Sequence, residues 1–234
     1  MIEIQHLHKS FGKLHVLDDI NLHLTMGRAV SLIGPNASGK TTMIKCLLGM
    51  VIPDSGTILF GGKNISHDFN YRSEIGYMPQ IGRYPENMRV GQVFEMLQNI
   101  RQHKGEIDNE LYDAFKMHDI RMKYMRTLSG GTRQKVSACL AFMFNPQVLI
   151  LDEPTAGLDP LSAEILKLKI LKEKAAGKLI LITSHILSDL EEITTDILFI
   201  VEGKIKFYKT VAELQLETGE QSLNKAVAEI MRHP

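Results

Sequence analysis

The sequence predicts an α/β protein with a mainly parallel central sheet, and three observations carry the prediction. Short apolar runs at Ala29 to Ile33, Val148 to Leu151 and Leu179 to Thr183 suit strands buried on both faces. Segments with helical apolar spacing separate these runs, the alternation that a parallel sheet with crossover helices requires. The first run leads straight into a glycine-rich loop and then a helix, a local arrangement suited to holding an anion.

Taken in order, Ile2, Ile4 and Leu7, then Ile20, Leu22 and Leu24, roughly alternate with polar residues and read as two strands before the run at 29–33. Thr25-Met26-Gly27-Arg28 turns the chain between them. Thr41 to Met50 reads as a helix, Thr57 to Phe60 as a strand after the Pro53-Asp54-Ser55-Gly56 turn, and 74–79 as another strand. From about Pro85 to Pro146 glycine becomes sparse; Val90, Val93, Phe94 and Leu97 share one helical face, and Leu111, Phe115 and Met117 another. A helical subdomain, about 85–146, is therefore expected as an insertion in the α/β core. Beyond it come an amphipathic helix at Ser162 to Ala175, stopped by Gly177, a helix at 186–194, strands at 196–201 and Lys204 to Tyr208, and helices at 211–216 and 221–232. The chain reads as a single domain over 1–234, with 211–234 a C-terminal helical tail.

Composition narrows the function classes. The 234 residues carry 27 basic and 27 acidic side chains, so no global positive field argues for nucleic acid, and none is expected as a partner. Two cysteines, Cys46 and Cys139, cannot build a disulfide framework and read as small core residues in a reducing compartment. No run approaches the ~18 apolar residues of a membrane span, and the N-terminus has no signal-peptide core. His6, His8, His15 and His23 lack a helical metal spacing and read as surface residues; Met117, Met122 and Met125 read as packing in the helical subdomain.

Three segments carry chemistry. Gly34-Pro35-Asn36-Ala37-Ser38-Gly39-Lys40-Thr41 fits the P-loop pattern in its required strand-to-helix context. Backbone N–H groups converge on phosphate there, Lys40 reaches the β- and γ-phosphates, and the Thr41 hydroxyl suits Mg²⁺. Val148-Leu149-Ile150-Leu151-Asp152-Glu153 is a buried strand ending in two carboxylates. Asp152 is placed to hold Mg²⁺ through water, and Glu153 to orient or deprotonate an attacking water. Leu128-Ser129-Gly130-Gly131-Thr132-Arg133-Gln134 opens a helix expected to run to about Phe144, with Ser129 as its N-cap.

That last segment resembles the LSGGQ signature of the ATP-binding cassette family, with Thr132 at the usual glutamine position. The family combines it with a P-loop about ninety residues upstream and a Walker B strand just downstream, as here. Further features fall in the family order over residues 1 to about 210. Phe11, ahead of Gly12, resembles the aromatic that stacks on adenine; Gln80 resembles the Q-loop glutamine, a Mg²⁺ and catalytic contact. Pro154 to Asp159 resembles the D-loop, and His185 the switch histidine on the γ-phosphate. Two residues depart from the pattern. Ala37 replaces a common glycine, which costs about 1 kcal/mol if that position needs φ > 0, and Thr132 lacks the glutamine amide.

The resemblance implies a P-loop NTPase fold of the ABC-ATPase type: a parallel core, an N-terminal antiparallel β part and a helical subdomain. It implies ATP held by residues 34 to 42, including Thr42, with Mg²⁺ at Thr41, Gln80 and Asp152. Catalysis then falls to Lys40, Gln80, Glu153 and His185. Two copies pair head to tail, each P-loop facing Ser129 to Thr132 of the other, and Asp159 belongs to the D-loop. The implied partner is a separate transmembrane permease of the exporter (ABC-2) type, placing the chain on the cytoplasmic face of the membrane, with a cleft near Gln80 receiving a permease helix. The main alternative is a soluble non-transport ABC ATPase of DNA repair or translation, though coiled coils, a second cassette and zinc cysteines are not visible. A non-hydrolysing ATP sensor is a third reading, opposed by Glu153 and His185.

Overall fold

A computed structural model describes residues 1–66, 68–102, 104–184 and 191–232. Two sheets and a set of helices form the chain. The strands are β1 (Ile2–Phe11), β2 (Leu14–Leu24), β3 (Ala29–Ile33), β4 (Ser55–Phe60), β5 (Lys63–Asn64), β6 (Ile75–Met78), β7 (Val148–Asp152), β8 (Leu179–Thr183), β9 (Asp196–Val201) and β10 (Lys204–Thr210). The helices are α1 (Lys40–Leu47), α2 (Val90–Arg101), α3 (Glu110–Ala114), α4 (Gly130–Phe142), α5 (Pro160–Ala175), α6 (Val211–Thr218) and α7 (Leu223–Arg232).

The core sheet has the order β10-β9-β3-β8-β7-β6, parallel throughout except for β10, which returns antiparallel on β9. Every residue of β3, β7 and β8 is buried, as the uninterrupted apolar runs require of strands covered on both faces. The smaller sheet, β2-β1-β4-β5, is antiparallel. Its first two strands alternate imperfectly for a structural reason. Ile4 pairs with Leu22 and Leu7 with Ile20, so β1 carries one extra residue there, and His6 takes φ 48 to absorb it.

Apolar packing fills both faces of the core sheet. On one side α1 and the small sheet close over Val30, Leu32, Ile150 and Leu181. On the other, α2 to α5 pack around Leu149, Leu151, Ile180 and Ile182. Cys46 and Cys139 lie in these two cores, as expected. So do Met117 and Met125, whereas Met122 is 67% exposed, with Arg89 Nη1 3.8 Å from its sulfur.

Several boundaries shift from the sequence reading. Helix α1 stops at Leu47 rather than Met50, and Tyr71 Oη and Arg72 Nη2 donate to the carbonyls of Leu47 and Gly49. Helix α5 starts at Pro160, capped by Asp159. Of the helix expected at 186–194, residues 186–190 lie outside the described residues and 191–193 form a turn.

Candidate active site

Strands β3, β8 and β7 are consecutive parallel neighbours, so their C-terminal ends lie side by side, where open α/β sheets place ligand sites. From β3 comes the loop 34–39; from β7 come Asp152 and Glu153; from β8 comes Thr183, paired in register with Asp152. Asn36 to Thr42, Gln80, Asp152, Glu153 and Thr183 line one cavity of about 270 Å³, with Leu14 and Val16 of β2 completing its wall.

The loop is built for close approach. Gly39 takes φ 107, and a Cβ there would come 2.6 Å from the Val16 carbonyl oxygen. No side chain caps the start of α1, which leaves its first N–H groups for an anion. Ala37 does adopt φ 62, so the strain anticipated for a non-glycine residue is present. Ser38 Oγ is buried without a hydrogen-bond partner, an unmet polar group inside the loop.

Lys40 Nζ donates to the carbonyls of Gly34 (2.6 Å) and Pro35 (2.9 Å), folding the ammonium back over the loop. Burial lowers its pKa, while the nearby charges of Glu153 and Asp152 oppose that shift. Asp152 is buried, and its Oδ1 accepts from Thr183 Oγ1 at 2.5 Å. The same Thr183 hydroxyl accepts from the Glu153 N–H at 3.0 Å. Glu153 sits at φ 51, a conformation that contacts must hold in place. Its N–H also reaches the Thr183 carbonyl (3.2 Å), and its own carbonyl accepts from Gln134 Nε2 of α4 (3.3 Å).

Thr41, Gln80 and Asp152 present a hydroxyl, an amide and a carboxylate on one cavity wall. Such hard oxygen donors suit Mg²⁺, which keeps few protein ligands and takes the rest from phosphate and water. Among the described residues no cluster of three or more His, Cys, Asp and Glu could hold a metal ion.

The signature segment stands apart: Ser129, Gly130, Gly131 and Thr132 are not on the cavity wall. Ser129 caps α4, accepting from the Thr132 N–H at 3.3 Å, and its Oγ lies 2.9 Å from Thr132 Oγ1. A Cβ on Gly131 would come 2.5 Å from the Gly157 carbonyl oxygen, so the helix start packs tightly on the 153–159 loop. Asp159 does not line the cavity either. It pairs with Lys135 at 2.8 Å and caps α5, accepting from Ser162 N–H and Oγ at 2.9 and 2.8 Å. Lys135 and these bonds hold the Asp159 carboxyl well below the usual carboxylate range.

Phe11 is 52% exposed at the β1–β2 turn and is not on the cavity wall, where Leu14 and Val16 stand instead. His185 lies outside the described residues. Thr183 and Gln134 escaped the sequence reading. The only available signal for Thr183 was a polar residue ending an apolar strand, and Gln134 looked like any polar residue in a helix.

Residues 17–156 match the ABC transporter family. The chain is 33% identical over 208 residues to the lantibiotic transport ATP-binding protein SrtF of Streptococcus pyogenes, covering 88% of this chain and 89% of that protein. It is 30% identical to the Nod factor export ATP-binding protein I of Ralstonia nicotianae, covering 87% of this chain and 65% of that one. A solved ATP-binding subunit of an ABC transporter superposes with a TM-score of 0.90 at 26% identity, covering 99% of each chain. The chain therefore belongs to the ABC transporter family, as an ATP-binding and ATP-hydrolysing subunit.

Proposed function

We propose that this chain hydrolyses ATP·Mg²⁺ between two copies of itself paired head to tail, and that the cycle drives a separate exporter-type permease. The observation carrying this reading is a division of labour. One cavity wall holds the P-loop, Lys40 and two carboxylates, while the signature loop of the same chain is not part of that wall. A two-fold axis then completes each site with the signature of the other copy.

In this mechanism residues 34 to 42 hold the phosphates, and Lys40 exchanges its two backbone carbonyls for β- and γ-phosphate oxygens. Thr41, Gln80 and Asp152 hold the Mg²⁺ ion, which when bound neutralises phosphate charge. Glu153 orients a water and takes its proton as the water oxygen bonds to the γ-phosphorus. The bond to the β-bridging oxygen breaks, leaving ADP and phosphate. His185 is assigned to the γ-phosphate and Phe11 to adenine, with Leu14 and Val16 beside the nucleotide. Ser129 to Thr132 serve the nucleotide of the other copy.

No described helix is long and apolar enough to cross a membrane. The chain is placed at the cytoplasmic face through the permease. The export named for the Nod factor relative supports the exporter branch.

Equilibrium binding tests the nucleotide assignment. Lys40→Ala removes a charged phosphate contact of ~1.5–3 kcal/mol, so ATP affinity should fall at least tenfold. Unchanged affinity would reject the site. Light scattering of Glu153→Gln tests the pairing: a monomer without nucleotide should become a dimer with ATP, and adding Ser129→Arg should prevent it.

A further inference from the structure

A second cavity, of about 1060 Å³, lies between the core sheet and the C-terminal helix. Among the described residues its walls are mostly apolar: Ile33, Phe199, Val201 and Phe207 come from the sheet, and Val227 and Ile230 from α7. The seating of α7 explains the space. Leu223, Ala226 and Val227 are buried with Leu214 of α6 against Ile197 and Phe199, so the helix starts firmly on the sheet. Ile230 is only half-buried and Met231 is 48% exposed, so the last turn seats less fully and leaves apolar side chains around a gap. Protein interiors hold few voids larger than a water molecule, and an apolar cavity of this size matches the upper end of small-molecule sites. Gly34 and Pro35 line it, whereas Asn36 to Thr42 line the 270 Å³ cavity, so the P-loop is a partition between the two.

Three charged side chains stand on the described wall: Lys206, Lys209 and Glu217. Lys209 Nζ donates to both carboxylate oxygens of Glu217, at 2.8 and 2.6 Å, so that pair is balanced. The Lys206 side chain is exposed and has no ion-pair or hydrogen-bond partner among the described residues. It is the extra residue of a bulge in β10, since Ile205 pairs with Ile200 and Phe207 with Phe199. Strict alternation would aim it away from Phe207 and Lys209, and the bulge brings all three to one cavity. The site therefore offers a large apolar volume and one uncompensated positive charge. A peptide suits it poorly, because buried backbone N–H and C=O groups need partners. Apart from the three charged residues, Ser184 is the only polar side chain among the described lining residues, and the Gly34 and Pro35 carbonyls already accept from Lys40. An alkyl chain brings no such groups, and a single negative head group matches Lys206.

We infer that this cavity binds a fatty acid anion, its alkyl chain between α7 and the sheet and its carboxylate at Lys206. The site is separate from the nucleotide site, and it depends neither on the pairing of two copies nor on a permease.

The test is isothermal titration of the full chain with dodecanoate in the absence of nucleotide. A single site per chain should saturate, and affinity should rise by up to about fourfold per methylene from octanoate to dodecanoate. Dodecylammonium, with the same chain and the opposite charge, should bind about tenfold more weakly. Lys206→Glu should weaken dodecanoate binding about fivefold or more, and Lys206→Arg should retain it. Matching thermal melting of both variants excludes misfolding. Lys40→Ala should leave dodecanoate binding unchanged, because Lys40 lines the other cavity. Dodecanoate carrying a terminal diazirine should label peptides from 197–209 or 223–232. Absence of saturable binding, a flat dependence on chain length, or equal binding of dodecylammonium overturns the inference. So does unchanged affinity in Lys206→Glu, loss of binding in Lys40→Ala, or labelling confined to other peptides. A chain that pairs without nucleotide and releases dodecanoate as it pairs gives the cavity to a second copy, which also overturns it.

Discussion

Thr183→Val separates the role of one hydroxyl from its packing. Valine keeps the volume and the buried strand end, but it removes the donor to Asp152 Oδ1 and one acceptor of the Glu153 N–H. The Glu153 N–H keeps the Thr183 carbonyl at 3.2 Å, so the loss falls mainly on the buried Asp152 carboxylate. A hydrogen bond to a charged group contributes about 1.5–3 kcal/mol, so ~2 kcal/mol of stability should go. For a chain of this size that lowers Tm by about 4–8 °C. Asp152 also loses the contact that aims it at the cavity, so kcat should fall at least tenfold and the Mg²⁺ concentration for half-maximal rate should rise. Thr183→Ser should recover most of both. Phosphate release against Mg²⁺ and a melting curve suffice as assays. A valine variant with wild-type kcat and a Tm within about 1 °C would refute the orienting role of this hydroxyl.

Three further outcomes follow from the same geometry. Glu153→Gln should keep ATP affinity and lose about 10²–10⁴-fold in turnover, measured by binding and phosphate release; turnover at the wild-type rate would deny the carboxylate a role. Ala37→Gly relieves a residue held at φ 62. Relief of roughly 1–2 kcal/mol, less ~0.4–1 kcal/mol of unfolded-state entropy, leaves about 0–1.6 kcal/mol, so Tm should rise by up to about 6 °C without loss of activity, and a lowered Tm would contradict strain at this position. Burial pushes the Cys46 thiol up to about 11 and raises Cys139 further, so neither should react with iodoacetamide at neutral pH until the chain unfolds; rapid alkylation of native protein would contradict their placement.

The parts of the fold that sequence made legible are those with local causes. Five-residue apolar runs became β3 and β8, fully buried, because only strands covered on both faces tolerate such runs. The loop 34–41 was legible as a glycine-rich link from strand to helix since its residues are contiguous, and the structure has that strand–loop–helix order. Thr183 was not, because it meets Asp152 only through sheet register, thirty-one residues away in sequence. The bulge at His6 blurred the alternation of Ile2, Ile4 and Leu7 for the same kind of reason: an extra residue shows as irregularity until the partner strand is known. Phe11 was read from its place before Gly12, and the cavity wall there proved to hold Leu14 and Val16.

The contacts around α4 imply that the two roles of one chain are mechanically joined. Gly131 packs on the Gly157 carbonyl, Lys135 pairs with Asp159, and Gln134 donates to the Glu153 carbonyl, so three successive features tie the signature helix to the 153–159 loop. In the proposed head-to-tail pair the signature would serve the nucleotide of the other copy, whereas Glu153 would serve its own. Glu153 has φ 51, a conformation its own backbone does not favour, so its position depends on neighbours such as Gln134. On the proposed pairing, a shift of the signature helix on binding the opposite nucleotide would reach the Glu153 backbone through Gln134, and hydrolysis at one site would depend on occupancy of the other. Gln134→Met keeps the length and apolar packing of the side chain but removes the donor. ATP affinity should stay within about twofold, because Gln134 is absent from the cavity wall. Turnover should fall about tenfold, and its dependence on ATP concentration should become less sigmoidal as the sites uncouple. Melting within a few degrees of wild type would show that the fold is intact. Full turnover with undiminished cooperativity in this variant would mean that Glu153 is positioned without help from the signature helix.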